Sequence, residues 1–231
     1  MNMSRYFFSI AIVSLLLFSC QSKPTDPTLD SSGFVKLNKA IPNALYDIRY
    51  YGKDNFLGTK VDGYLAPAAY ISKPAAEALK KVQESLNQEG LGLKIFDAYR
   101  PQKAVDHFVR WGKVVDDTLT KARYYPDIDK ARVFELGYVA EKSGHTRGST
   151  IDLTVIDLET QEEIDMGSGF DFFGAISHHD SPLVDSIHTA NRNKLRALMK
   201  QYGFKEYSGE WWHYTLANEP YPDTYFNFDV K

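Results

Sequence analysis

Ten residues, Ser143-Gly-His-Thr-Arg-Gly-Ser-Thr-Ile-Asp152, constrain this chain more than any other stretch. Gly144 and Gly148 make the first half a tight loop, because glycine reaches backbone angles that other residues avoid. From Thr150 to Asp157 the side chains alternate and are rich in β-branched types, which predicts a strand. A loop running straight into a strand carries His145 and Asp152 toward one point. One offers nitrogen and the other carboxylate oxygen, and zinc takes both. Surface His and Asp also share loops without any metal, so the pair needs a third partner. Glu210-Trp-Trp-His213, near the end of the chain, supplies a candidate in His213.

Glu210 and His213 stand three apart, a spacing that would put both on one face of a helix. Two adjacent tryptophans after Gly209 read better as a strand, with Glu210 at a turn or bulge that re-aims it. The same four residues also read as a core strand with ordinary polar neighbours. If His213 does join His145 and Asp152, one tetrahedral position stays open, which marks a catalytic zinc site and not a structural one. Water at such a site has its pKa lowered to about 7. Glu210 is then suited to accept its proton and pass it to a leaving amine.

Arg100 stands between a predicted strand end and a helix start, suited to neutralise an oxyanion. Loss of one such donor costs about 2.7–4 kcal/mol of barrier. Without further support it reads more readily as the partner of a surface carboxylate. Asp171 lies among Phe170, Phe172 and Phe173. A carboxylate in apolar company needs a partner, either a substrate ammonium or a buried lysine or arginine. His107 reads as a structural or surface histidine. His178, His179 and His188 are reserve ligands that fall outside the spaced pattern.

With 231 residues, 43% of them hydrophobic and 14% aromatic, the chain can fill the core of one sizeable domain. A net charge of −3 provides no basic field for nucleic acid. The single cysteine, Cys20, excludes an intramolecular disulfide. Before it runs the apolar stretch Tyr6–Phe18, preceded by Arg5. That stretch is short for a bilayer span and fits the apolar region of a secretory signal. Leu17-Phe18-Ser19-Cys20 resembles the lipobox of bacterial lipoproteins. The resemblance implies a signal peptide over 1–19, lipidation at Cys20 and a tether over 20–33, which leaves 34–231 as the globular domain. It also implies export and a membrane anchor in the bacterial cell envelope, facing the periplasm.

Helix signals are clearest over Ser72–Gly90, where Ser72 is a candidate cap, Pro74 lies in the first turn and Ala75, Leu79, Val82 and Leu86 form a stripe. Pro101 begins a second helix with Ala104, Val105, Phe108, Trp111 and Val115 on its apolar face, and 191–202 forms a third. Strands are expected at 44–51, 64–71, 93–98, 150–157 and 163–166, with a closing hairpin at 204–207 and 211–216. A short helix or irregular segment is expected over 131–140. Helices and strands interleave irregularly, which suggests one α+β domain with a mainly antiparallel sheet and helices packed on it.

Ser143-Gly-His145-Thr-Arg-Gly148-Ser-Thr-Ile-Asp152 resembles the S-x-H-x-x-G-x-A-x-D motif of the zinc D-Ala-D-Ala peptidases, and Glu210-Trp-Trp-His213 resembles their E-x-W-H motif. Three more stretches narrow the likeness to the D-alanyl-D-alanine dipeptidases of the vancomycin-resistance type: Tyr46-Asp-Ile-Arg-Tyr with Asn55-Phe-Leu-Gly, Asp97-Ala-Tyr-Arg100-Pro, and Met166-Gly-Ser-Gly-Phe-Asp171. The likeness covers roughly Leu37 to Leu216. It implies one zinc ion on His145, Asp152 and His213, with Glu210 as the base and Arg100 at the transition state. It further implies Asp171 on the dipeptide's amino group, Ser143 as an aid to substrate binding, and the α+β fold shared with D,D-carboxypeptidases and hedgehog-type domains. The implied substrate is D-Ala-D-Ala or another short peptidoglycan-derived peptide. A D,D-carboxypeptidase trimming stem peptides and a zinc-bearing wall-binding module without turnover are the alternatives. Thr150 departs from the motif's alanine.

Overall fold

The computed structural model describes residues 33–231, so the signal, lipobox and Cys20 expectations lie outside the described residues. In chain order the elements are β1 (Phe34–Lys36), α1 (Leu37–Ala40), β2 (Leu45–Tyr46), β3 (Tyr70–Ser72), α2 (Lys73–Asn87), β4 (Leu91–Asp97), α3 (Gln102–Lys113), α4 (Lys121–Tyr124), β5 (Thr150–Asp157), α5 (Ser186–Gln201), β6 (Phe204–Tyr207) and β7 (Glu210–Leu216). Five strands form one sheet in the order β2-β4-β5-β7-β6, and β1 pairs with β3 in a separate ribbon. The β2–β4 pair is parallel, while the other pairs of the main sheet are antiparallel. The architecture is therefore α+β with a mixed, mainly antiparallel sheet.

Strand β5 is central and buried along all but its last residue. Burial on both faces suits its β-branched content, because each side chain packs whichever way it points. Helix α2 buries Ala75, Ala76, Leu79, Val82 and Leu86. Helix α5 buries Leu195 and Met199. Together with the sheet they form one contiguous apolar core.

Several elements differ from expectation. The strand expected over 44–51 is only Leu45–Tyr46. Arg49 bends back onto Asp47 (Nε to Oδ2, 2.8 Å) and Tyr50 turns into the core, taking the chain off the sheet edge. Over 64–71 only Tyr70 and Ile71 join a strand, because Pro67 has no N–H for a ladder. Ser72 does not cap α2 with its side chain; its hydroxyl bonds Ser149 Oγ at 2.7 Å instead. Helix α3 stops at Lys113, leaving Val115 exposed. Of 163–166 only Glu163 pairs, in an isolated bridge to Ile156. Helix α5 begins five residues earlier than 191, because the Asp185 side chain accepts from the N–H groups of Ile187 and His188. The closing hairpin forms as expected.

Candidate active site

Register across three strands sets the site. Asp152 on β5 lies directly opposite His213 on β7 and, across a bulge between Ile95 and Asp97, opposite Asp97 on β4. Directly opposed residues share a face of the sheet, so the three side chains form one row. His145 reaches that row from the 3-10 turn Gly144–Arg147 just before β5. Ser143 Oγ accepts from the His145 N–H (3.3 Å) and caps that turn. Gly148 ends it in the left-handed region at φ 81°, where a Cβ would also overlap the Phe34 ring.

The three expected ligands converge. His145 Nε2 lies 3.2 Å from Asp152 Oδ2 and 3.3 Å from His213 Nδ1. His213 Nδ1 lies 3.2 Å from Asp152 Oδ1. On its far side, His145 Nδ1–H donates to the Ala98 carbonyl (2.7 Å), which leaves Nε2 as a free lone pair aimed at the cluster. Asp152 Oδ1 is buried and makes no hydrogen bond. An orphaned carboxylate oxygen beside two imidazole nitrogens is a donor set that a zinc ion satisfies.

Electrostatics point the same way. Burial alone would raise the Asp152 carboxyl, but the neighbouring imidazoles, His145 foremost, hold it well below the usual carboxylate range. Burial would lower His213, but Asp152 and Glu210 outweigh it and push the imidazole up to about 9. Asp152 and Glu210 thus favour positive charge at this point of the cluster.

Glu210 opens β7 beside the register shift between Glu206 and Tyr207, with Oε2 at 3.3 Å from His213 Nδ1. The expected bulge does re-aim it. Arg100 is buried and bound to Asp97 through Nε (3.0 Å) and a terminal nitrogen (2.9 Å), and that nitrogen also lies 3.6 Å from Asp152 Oδ2. Its guanidinium plane sits over Tyr50 and Phe108. Asp171 is buried at a strained left-handed φ of 59° and accepts from Tyr50 Oη at 2.8 Å. No ion pair reaches it among the described residues. Burial first, then the charge of Asp152, raise its carboxyl well above the usual range, against weaker pulls from Tyr50 and Arg100. These side chains, with Ser143, line one cavity of about 300 Å³.

A family model described as D-ala-D-ala dipeptidase, of the M15 peptidases, matches residues 30–231. The chain belongs to the D-Ala-D-Ala dipeptidase family. Membership makes it a zinc-dependent hydrolase. It is similar to a D-alanyl-D-alanine dipeptidase of Streptomyces coelicolor, 47% identical over 85% of this chain and 98% of that one. One from Enterococcus faecalis is 46% identical over 87% and 99% of the two chains. One from Escherichia coli is 33% identical over 81% and 86%. A solved vancomycin-resistance D,D-pentapeptidase in complex with Zn(II) covers 67% of this chain and 77% of its own at 15% identity and a TM-score of 0.39, too distant a likeness to bear on the chemistry.

Two residues of this D-Ala-D-Ala dipeptidase family site were not singled out from sequence. Asp97 ties Arg100 to the row and accepts from Tyr64 Oη at 2.6 Å; its place at a strand end beside Arg100 was the available signal. Tyr50 closes the Tyr46-Asp-Ile-Arg-Tyr stretch of the family likeness, but only the fold brings it to Asp171. Thr150 is accommodated, because its hydroxyl bonds Thr215 Oγ1 at 2.9 Å on the facing strand. The reserve histidines stay outside the cluster. His188 lies by Asp165 and Asp185, His178 is exposed, and His179 is buried with both ring nitrogens unpartnered. His107 is half-buried and accepts from the Asp62 N–H at 3.2 Å.

Proposed function

We propose that this chain hydrolyses D-alanyl-D-alanine as a one-zinc dipeptidase, with His145, Asp152 and His213 holding the ion. The reading rests foremost on the convergence of those three donors beside Glu210, in the same cavity as Arg100 and Asp171. Zinc at that position supplies a Lewis acid that activates water near neutral pH. Glu210 takes the proton of the attacking water and delivers it to the leaving amine. Arg100, immobilised by Asp97, pairs with the negative charge that develops on the attacked carbonyl oxygen. Asp171 receives the substrate ammonium, which draws its carboxyl back to the ionised form. Ser143 shapes the turn that aims His145. Burial of Asp171 closes the amino side of the cavity and limits the substrate to two residues.

The test is a substrate panel run with and without chelator, comparing free D-Ala-D-Ala with a stem pentapeptide. Chelator-sensitive cleavage of the dipeptide alone is the expected result. Cleavage of the pentapeptide alone would make the chain a D,D-carboxypeptidase, and tight binding without release of alanine would make it a binding module.

We further propose that the protein is exported and anchored through a lipid on Cys20, acting on dipeptide from wall turnover outside the inner membrane. The lipobox-like Leu17-Phe18-Ser19-Cys20 supports this. Metabolic labelling with a fatty acid should mark the full chain and not its Cys20→Ser variant.

A further inference from the structure

A dipeptide zwitterion has two charged ends, and the dipeptidase reading uses only one. Asp171 takes the ammonium at the deep end of the cavity, walled by Tyr50, Phe56 and Phe108, all buried. Lys142 and Tyr207 line the same cavity and are both exposed, so the cavity opens to solvent beside them. A substrate lying with its ammonium inward therefore carries its carboxylate toward that rim.

Few cations line the cavity to meet it. Arg100 is already bound twice to Asp97. His145 and His213 belong to the donor cluster. Lys142 is the remaining one, and among the described residues it has no carboxylate partner. Its ammonium instead lies over the Tyr225 ring, 5.1 Å from the centroid. That weak seat leaves the charge un-neutralised and free to turn toward a carboxylate. Lys142 also immediately precedes Ser143, the cap of the turn carrying His145.

We infer that Lys142 receives the free carboxylate of the substrate and makes it part of the recognition. The inference rests on the dipeptidase reading and adds a carboxylate requirement on the leaving-group side. Lys142 takes no part in the chemical step, because it meets an end of the substrate that stays charged throughout.

A cycle of substrate against residue tests it with the metal-loaded full chain. Kinetics are measured on D-Ala-D-Ala and on its C-terminal amide, for the native protein, Lys142→Met and Lys142→Arg. On the acid, Lys142→Met should lower kcat/KM about five- to tenfold, mostly through KM, a size fitting one partly exposed charge pair. On the amide the native protein and Lys142→Met should be equal, and Lys142→Arg should restore most of the loss on the acid. An equal loss on acid and amide, or none on either, overturns the inference. The same pair of ligands is also titrated calorimetrically on Glu210→Gln with and without Lys142→Met, which needs no turnover. Weaker binding of the acid alone supports the role of Lys142; no difference overturns it. A native protein that cleaves neither compound overturns the dipeptidase reading instead, and the calorimetry still decides Lys142.

Discussion

Removing the Glu210 carboxylate and removing the His213 imidazole should have separable consequences. Glu210 stands beside the donor set without completing it, so Glu210→Ala should keep its metal while losing about 10²–10⁴ of turnover. His213→Ala takes away one of three donors and should lose both. Metal analysis of the two purified variants distinguishes them, and equal metal loss would mean that ligand and base have been exchanged. Protons report on the same cluster. Folded His213 holds its proton up to about 9, against an ordinary value of 6.5. The metal-free fold is therefore stabilised fully below pH 6.5 and loses that contribution as pH rises through about 9. Metal competes for the same nitrogen, so its affinity should move the other way, rising by up to about tenfold per pH unit over that window. Denaturation of the metal-free protein and metal titration across that window check both slopes. The ligands were legible because loop glycines, a β-branched strand and a terminal Trp-Trp-His are local patterns. Asp97 entered only within the Asp97-Ala-Tyr-Arg100-Pro stretch, and its place beside Asp152 was not legible, since that depends on a bulge between Ile95 and Asp97.

At the scale of elements, the loop carrying Asp171 is held from below by α5. Arg192 is fully buried and donates to the carbonyls of Met166 and His178 (both 2.7 Å) and to Ser168 Oγ (3.3 Å). Trp211 Nε1 also donates to Ser168 Oγ, at 2.9 Å. The clasp grips the loop on both sides of Asp171 and helps maintain its strained φ. Arg192→Leu leaves buried acceptors unpaired and should cost about 3 kcal/mol of stability. Arg192→Lys, which keeps a donor, should fold and raise KM for the dipeptide with metal content unchanged. A KM equal to that of the native protein would show that Asp171 is positioned without the clasp. Nothing in the sequence marked Arg192, because an arginine within a helical pattern reads as a solvated charge. The start of α5 was missed for a related reason: Asp185 was the cap, but Asp180, Ser181 and Ser186 nearby are equally able cap residues. Helix α2 was legible in its body, because its apolar stripe and the glycine beyond it are local signals, while the cap expected of Ser72 was not formed.

For the whole molecule, the site depends on pieces far apart in the chain. His145 and His213 are 68 residues apart, and the C-terminal tail closes over the turn that bears His145, where the Phe226 N–H donates to the Thr146 carbonyl at 3.0 Å. Interleaved helices and strands were enough to indicate α+β with a mainly antiparallel sheet. The parallel β2–β4 pair was not legible, since it spans two residues whose partner is set by long-range packing. Apolar packing closes the sheet without help from an ion, so metal removal should not unfold the protein. It should, however, leave the buried Asp152 oxygen without its cation. An ion at a thousandfold excess over its Kd contributes about 4 kcal/mol, which for a domain of this size is about 8–16 °C in Tm. Excess chelator should therefore lower Tm by that order while the far-ultraviolet circular dichroism stays unchanged. His213→Ala should show a low Tm that neither zinc nor chelator moves. If that variant still responds to zinc as the native protein does, the stabilising ion sits elsewhere, and the donor set of His145, Asp152 and His213 is not what holds it.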